Sequence, residues 1–179
     1  TAKKLADENG PGIRKHLGIA ARTLKSCRDE LRNCLWDLRN RALEASSMND
    51  AIRQTLLPHL RGVEVMLRVN VPRSRLTDNT AHAVLRVVRE LVLNSVRHGG
   101  ATKVWIAGAI DDGRAKFSVR DNGSGFDPAT APSFAQGHYG LLGIRERIES
   151  LEGEFTIESA PGEGAKATIS IPPINKDNK

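Results

Sequence analysis

From Ile13 to about Ala45 no proline interrupts the chain, and leucine returns every seven residues at Leu17, Leu24, Leu31 and Leu38. Ala20, Cys27 and Cys34 stand three residues after the first three of these leucines, which fills the a and d positions of a heptad, and Leu35 and Ala42 widen the seam. The pattern predicts one long amphipathic helix whose seam needs a partner. The Gly10-Pro11-Gly12 break suggests that an earlier helix turns back against it, in a hairpin able to dimerise into a four-helix bundle. The alternative is a helix that packs on its own domain.

A shorter helix is expected from about Asn49 to Leu60, ending near Gly62, followed by an alternating strand from Val63 to Val71 before Pro72. Val84, Val87, Val88, Leu91, Val92 and Ser95 then recur at helical spacing, which predicts a helix of about twenty residues. After Gly99-Gly100 the period becomes two. Val104 and Ile106, an Asp112-Gly113 turn, and Phe117 and Val119 read as a hairpin. A helix from about Gly140 to Leu151 is stopped by Gly153. Strands around Phe155 to Ile157 and Ala165 to Ile171 flank a turn at Pro161 to Gly164. The expected fold is α+β, a helix layer on a mixed, largely antiparallel sheet. The expected domains are a helical segment, 1–48, and a second domain, 49–175.

Composition changes this picture little: 39% of the 179 residues are hydrophobic, and no apolar run reaches the roughly 18 residues a membrane helix needs. The start, Thr1-Ala-Lys-Lys, has neither an initiating Met nor the apolar core of a signal peptide, so it reads as part of a longer chain. Cys27 and Cys34 share one helix face, where they are expected as reduced core residues of a cytosolic protein, and no Cys/His cluster supports a zinc site. The net charge of +6 raises nucleic acid as a partner. Residues 1–45 hold ten Lys/Arg among six Asp/Glu, and aromatics make up only 4% of the chain, so a solvated helix surface is expected and nucleic acid is not.

The candidate chemistry begins on the helix near residue 90. Glu90 and Asn94 are four apart, with Arg97 and His98 one turn later, so the four lie along one flank. A carboxamide oxygen suits Mg²⁺, which keeps waters and shares its other positions with phosphate. Asn94 fits that role; Glu90 could orient a metal-bound water or the attacking group, and Arg97 and His98 could meet phosphate charge. Alone, such a flank is also what an ordinary exposed helix surface looks like.

Asp121 has the parity of Phe117 and Val119, so its carboxylate points with the core side chains, and a buried carboxylate needs a donor. The Asn122-Gly123-Ser124-Gly125 turn opens the backbone for a flat ligand. Adenine offers an exocyclic amine where guanine has a carbonyl, so such a site would select ATP over GTP; the alternative is an Asp that only caps a turn. Gly137-His138-Tyr139-Gly140-Leu141-Leu142-Gly143 opens directly into a helix, where backbone N–H groups attract phosphate. It is neither a Walker loop nor a dinucleotide fingerprint. The Pro-, Ala- and Ser-rich stretch from Phe126 to Gln136 reads as a lid over the nucleotide.

In order along the chain stand Glu90-Leu-Val-Leu-Asn94-Ser-Val-Arg-His98, Asp121-Asn-Gly-Ser-Gly-Phe-Asp127, Gly137-His-Tyr-Gly-Leu-Leu-Gly-Ile-Arg-Glu-Arg147 and Pro161-Gly-Glu-Gly164. The set resembles the N, G1, G2 and G3 boxes of the GHKL ATPase superfamily, shared by histidine kinases, gyrase, Hsp90 and the mismatch-repair protein MutL. The short lid, the Gly-Leu-Leu-Gly-Ile-Arg-Glu-Arg wording and the Cys34-Leu-Trp-Asp-Leu-Arg39 helix resemble one branch, the sensor histidine kinases of the nitrate/nitrite-sensor and lipid-thermosensor type. The likeness covers about residues 13–172.

That resemblance implies a Bergerat-type α/β sandwich preceded by a long dimerisation helix, the second of a phosphotransfer hairpin. It implies that Mg·ATP gives its γ-phosphate to a histidine on the first hairpin helix, and that the phosphate passes on to the receiver domain of a response regulator. A homodimer formed through the helical segment and an upstream sensor domain follow from the same likeness; the fragment itself is expected in the cytoplasm, and whether its parent is anchored in a membrane stays open. So do the site residues: Asn94 on Mg²⁺, Asp121 on adenine with Gly123 and Gly125 beside it, and His138, Gly140, Leu141 and Leu142 around the phosphates.

Two departures accompany it. Ala165 stands where the family usually has Thr. No His is followed by an acidic residue at the acceptor's place, since His16 precedes Leu17 and His59 and His82 have no motif around them, so the acceptor is expected upstream. Two other functions remain open, an ATP-driven conformational switch of the gyrase or MutL kind and a binding module without turnover.

Overall fold

A computed structural model of the chain describes residues 23–24, 47–56, 60, 62–128 and 139–172. The chain divides into two units, Thr1–Asn40 and Arg41–Lys179. The expected heptad helix lies outside the described residues except for Thr23 and Leu24, which are helical, Leu24 being 70% exposed. The sheet and the helices that cover it belong to the second unit.

Helix α1, Met48–Leu56, starts one residue before the expected Asn49 because Ser47 caps it: the Asp50 N–H donates to Ser47 Oγ at 3.1 Å, and that hydroxyl donates back to the Asp50 carboxylate at 2.7 Å. Met48, Ala51, Ile52 and Leu56 are buried. Leu60, assigned to this helix by its pattern, is not helical. Asn49 Oδ1 accepts from Val69 N at 3.3 Å, tying α1 to the end of strand β1, Glu64–Val69.

Helix α2, Asp78–Arg97, has the twenty residues its apolar spacing predicts. Thr77 caps it by accepting from the Thr80 N–H at 3.1 Å, and Arg73 pairs with Asp78 in the first turn. Ala81, Val84, Leu85, Val88, Leu91 and Val92 are buried along one stripe. Strands β2, Lys103–Asp111, and β3, Arg114–Asp121, form the expected hairpin. Asp112 (φ 48°) and Gly113 (φ 73°) both adopt the positive φ of a type I′ turn, whose twist matches that of the flanking strands.

The chain continues through α3, Tyr139–Glu149, and closes with strands β4, Glu154–Ser159, and β5, Ala165–Ile171. The sheet order is β1-β2-β3-β5-β4; β1 runs parallel to β2 and the other pairs are antiparallel, the mixed sheet that was expected. One register row, Val69, Gly108, Phe117, Ile169 and Phe155, crosses all five strands on the helix-covered face. A Cβ on Gly108 would lie 2.9 Å from the Phe117 ring, so the missing side chain makes room for it. On the other face the row Met66, Trp105, Arg120, Lys166 and Glu158 meets solvent, with the Arg120 guanidinium 5.9 Å above the Trp105 ring.

α3 packs on β4 and α2 through the buried Ile144 and Ile148. Its stop differs from the expected one. The left-handed residue is Glu152 (φ 56°), whose N–H donates to Glu149 O, while Gly153 N donates to Ile148 O, the two bonds of a Schellman motif. Gly153 is needed for space: a Cβ there would come within 2.8 Å of Ile148 Cγ2 and 2.9 Å of Ser170 O.

Candidate functional site

Asp121 ends β3 and is 6% exposed, as its parity predicts. Its Oδ1 accepts from Gly123 N at 2.8 Å and from Ala165 N at 3.3 Å, and its Oδ2 accepts from Ser95 Oγ at 2.6 Å. An ionised carboxylate offers about four lone-pair sites. The donor that burial requires is thus supplied by the chain itself, and about one site on Oδ2 is left over. Sequence reasoning had left that donor to a ligand.

The glycines around Asp121 mark where backbone meets backbone. A Cβ on Gly125 (φ 59°) would lie 2.0 Å from Ala160 O, and one on Gly164 (φ 70°) would lie 2.2 Å from Asp121 O. A Cβ on Gly123 would come within 2.7 Å of Gly99 O. The space expected for a flat ligand at Gly123 and Gly125 is in part taken by these neighbouring segments.

Further bonds lock the same place. Asn122 Oδ1 accepts from Thr102 N at 3.0 Å and Lys103 N at 2.8 Å, and its Nδ2 donates to Thr102 Oγ1 at 3.0 Å. Ser124 N donates to Gly99 O at 2.8 Å, and Gly162 N donates to Ser124 O at 2.7 Å. Ser159 Oγ accepts from Phe126 N at 2.9 Å and donates to Gly164 O at 2.7 Å. The end of α2, the turn after β3 and the β4–β5 turn therefore form one hydrogen-bonded knot around the carboxylate.

Asn94 sits at the edge of this knot. Its carbonyl accepts from His98 N at 2.9 Å and Gly99 N at 3.3 Å, and its neighbour Ser95 bonds Asp121. The Asn94 side chain is half-buried and makes no hydrogen bond within the described residues. Glu90, one turn earlier, is half-buried, whereas Arg97 and the capping His98 are exposed. Burial, and then the positive charge of Arg97, hold the Arg89 guanidinium below its ordinary pKa, with the Glu90 carboxylate opposing them.

Gly140, Leu141 and Leu142 fall in the first turn of α3, with both leucines half-buried. The bonds at Asp121 involve none of the three. His138 and residues 129–136 of the expected lid lie outside the described residues. No cluster of three or more His, Cys, Asp or Glu side chains able to hold a metal occurs among the described residues. A shallow recess lined by Trp105, Ala107, Ser118, Arg120 and Lys166 opens on the solvent face of the sheet, opposite Asp121 in strand parity.

Sequence reasoning missed Ser95, Asn122, Ser159 and the Ala165 N–H. Ser95 carried a signal: it is a hydroxyl on the otherwise apolar stripe by which α2 meets the sheet.

The model of the histidine kinase-, DNA gyrase B-, and HSP90-like ATPases matches residues 79–175. The signal transduction histidine-protein kinase/phosphatase DegS of Brevibacillus brevis is 30% identical over 163 residues, which cover 88% of this chain and 41% of that protein. UhpB of Salmonella typhimurium, a protein of the same description, is 30% identical over 173 residues, covering 95% of this chain and 33% of its own length. The chain thus spans well under half of these curated relatives. Among solved structures, the ATP-binding domain of PrrB from Mycobacterium tuberculosis superposes with a TM-score of 0.54 at 18% identity, covering 72% of this chain and 93% of that one. This likeness carries the fold, a Bergerat-type α/β sandwich. With more than half of its length matched, from the start of α2 to beyond β5, the chain belongs to the family of histidine kinase-, DNA gyrase B- and HSP90-like ATPases.

Proposed function

We propose that this chain is the ATP-binding catalytic core of a two-component sensor histidine kinase, transferring the γ-phosphate of Mg·ATP to a histidine that the expected dimerisation hairpin supplies from outside residues 1–179. The observation that carries the reading is the Asp121 knot: a buried carboxylate held by three chain donors keeps one acceptor site on Oδ2, next to the helix that bears Asn94. An exocyclic amine satisfies that site, and a carbonyl oxygen in its place repels it. The naming of DegS and UhpB as histidine kinases supports the choice of kinase over switch.

In this reading Asn94 is the one protein ligand of Mg²⁺. A half-buried carboxamide without a protein partner among the described residues suits an ion that takes few protein ligands and completes its shell with phosphate oxygens and water. The ion, when bound, neutralises charge on the phosphates. Glu90 lies one turn away to orient the attacking imidazole or a metal-bound water, and Arg97 and His98 offer positive charge or N–H donors to phosphate oxygens. Gly140, Leu141 and Leu142 would present backbone N–H groups at the start of α3, with His138 just before them. The partners are a receiver domain of a response regulator, a second copy through the heptad helix, and an upstream sensor domain. The proposed location is the cytoplasmic, catalytic part of a membrane-anchored parent; no described helix is long and apolar enough to cross a membrane.

The test incubates this chain with γ-labelled ATP and a longer version that includes the upstream helix. Acid-labile, base-stable label on the longer chain is the expected result. Steady release of free phosphate with no label on protein overturns the kinase reading in favour of an ATP-driven switch, and absence of both leaves a binding module.

A further inference from the structure

We propose that Ser95 is a positioning residue for base recognition: its hydroxyl fixes the Asp121 carboxylate so that the one free acceptor on Oδ2 meets the exocyclic amine of adenine. The inference rests on the reading of Asp121 as the adenine contact. Ser95 Oγ lies 2.6 Å from Asp121 Oδ2 and 3.1 Å from Leu91 O, and a hydroxyl has one proton to give. The shorter bond goes to the charged acceptor, which binds a donor about twice as strongly as a neutral carbonyl does.

The other two donors to the carboxylate, Gly123 N and Ala165 N, both reach Oδ1. They hold one oxygen and leave the carboxylate free to swing about it. Ser95 is the only side chain bonded to Asp121 among the described residues, and the only donor on Oδ2. Ala165 contributes its N–H and has no hydroxyl to share the task. Because Ser95 is also the residue after Asn94, any shift at the C-terminal end of α2 reaches the base-reading carboxylate and the metal-binding carboxamide together. One helix terminus thereby aligns both ends of the nucleotide.

The test compares ATP with purine riboside 5′-triphosphate, which lacks only the exocyclic amine, by calorimetric titration of the 179-residue chain and its variants. In the unsubstituted chain ATP binds more tightly by some factor that measures the amine. Ser95→Ala is expected to cut that factor about tenfold, the usual worth of a hydrogen bond to a charged group, while purine riboside triphosphate binds within about twofold of its original affinity. A loss shared equally by both nucleotides marks a merely structural role and overturns the proposal, as does an unchanged factor. Ser95→Thr, which keeps the hydroxyl, restores the factor; Ser95→Cys, nearly isosteric and a weak donor, gives the Ala result if Ser95→Ala does not fold. Asp121→Asn separates the two claims. If it leaves the amine factor intact, the adenine reading itself fails; if it removes the factor while Ser95→Ala does not, only the role of Ser95 fails.

Discussion

Asp121 and Asn94 stand at two ends of one junction between α2 and the sheet, and they are built in opposite ways. Asp121 is 6% exposed, takes three hydrogen bonds from its own chain and is ringed by glycines whose backbones touch neighbouring carbonyls. Asn94 is half-buried with a carboxamide that no described residue engages. The difference teaches where ordering occurs. The Asp121 side is ordered when the protein folds, so little entropy remains to be lost there on binding; the Asn94 carboxamide is left for a ligand, which in the proposed reading is the metal ion and its phosphates.

The strongest way to break this contrast is to push the knot apart. Gly125→Ala places a Cβ 2.0 Å from Ala160 O at a φ of 59°, and it should cost about 3 kcal/mol or more of stability, seen as a lower urea midpoint. Stability within about 0.5 kcal/mol of the parent would mean that the segments are not tightly joined.

Asp121→Asn acts on binding more than on folding. Its Oδ1 can keep the Gly123 and Ala165 bonds, and Ser95 can turn its proton to Leu91 O and accept from the new amide instead. The expected cost in stability is about 1 kcal/mol, whereas ATP affinity should fall about 100-fold because an N–H now faces the adenine amine. Unfolding in place of selective loss would show that the negative charge holds the knot together.

Asn94→Ala sharpens the comparison from the other end. The Mg²⁺-dependent part of ATP affinity should fall about tenfold, with the melting temperature of the free protein within about 2 °C of the parent. In EDTA the two proteins should bind ATP alike. A large drop in melting temperature would show that the carboxamide has a structural partner after all.

The smallest effect is expected far from the junction. Lys116 bonds the fully exposed Asp111 at 2.5 Å, first through the hydrogen bond and then through charge, and so holds that carboxyl below its ordinary 3.8. A depressed carboxylate pKa adds stability that is present above the ordinary value and lost as pH falls through the lower one. Lys116→Met should therefore leave the melting temperature at pH 7 almost unchanged, with the two melting curves converging in acid.

How much of this was legible in the sequence depends on which atoms carry it. Side-chain parity put Asp121 among the core residues, Asp112-Gly113 announced the hairpin, and the spacing of Val84 to Val92 gave α2 its length. The donors to Asp121 were not legible, because two are backbone N–H groups and every residue but proline has one. Ser95 was read as part of an apolar stripe, where its hydroxyl looked incidental. The glycine after α3 signals a stop at Gly153, but Glu152 takes the left-handed conformation there and Gly153 serves a tight approach to Ser170. Local signals name the residue that ends a helix less well than the crowding around it does.

The knot draws on three stretches of chain, near residues 95, 121 and 165, and the last of these is also the start of β5. During synthesis a nascent chain that has already formed α2 and the β2–β3 hairpin still lacks the Ala165 bond and the β4–β5 turn that closes over Gly125. On the proposed adenine reading of Asp121, nucleotide capture requires β5 to have docked between β3 and β4, because the first residue of β5 supplies one of the donors that hold the carboxylate.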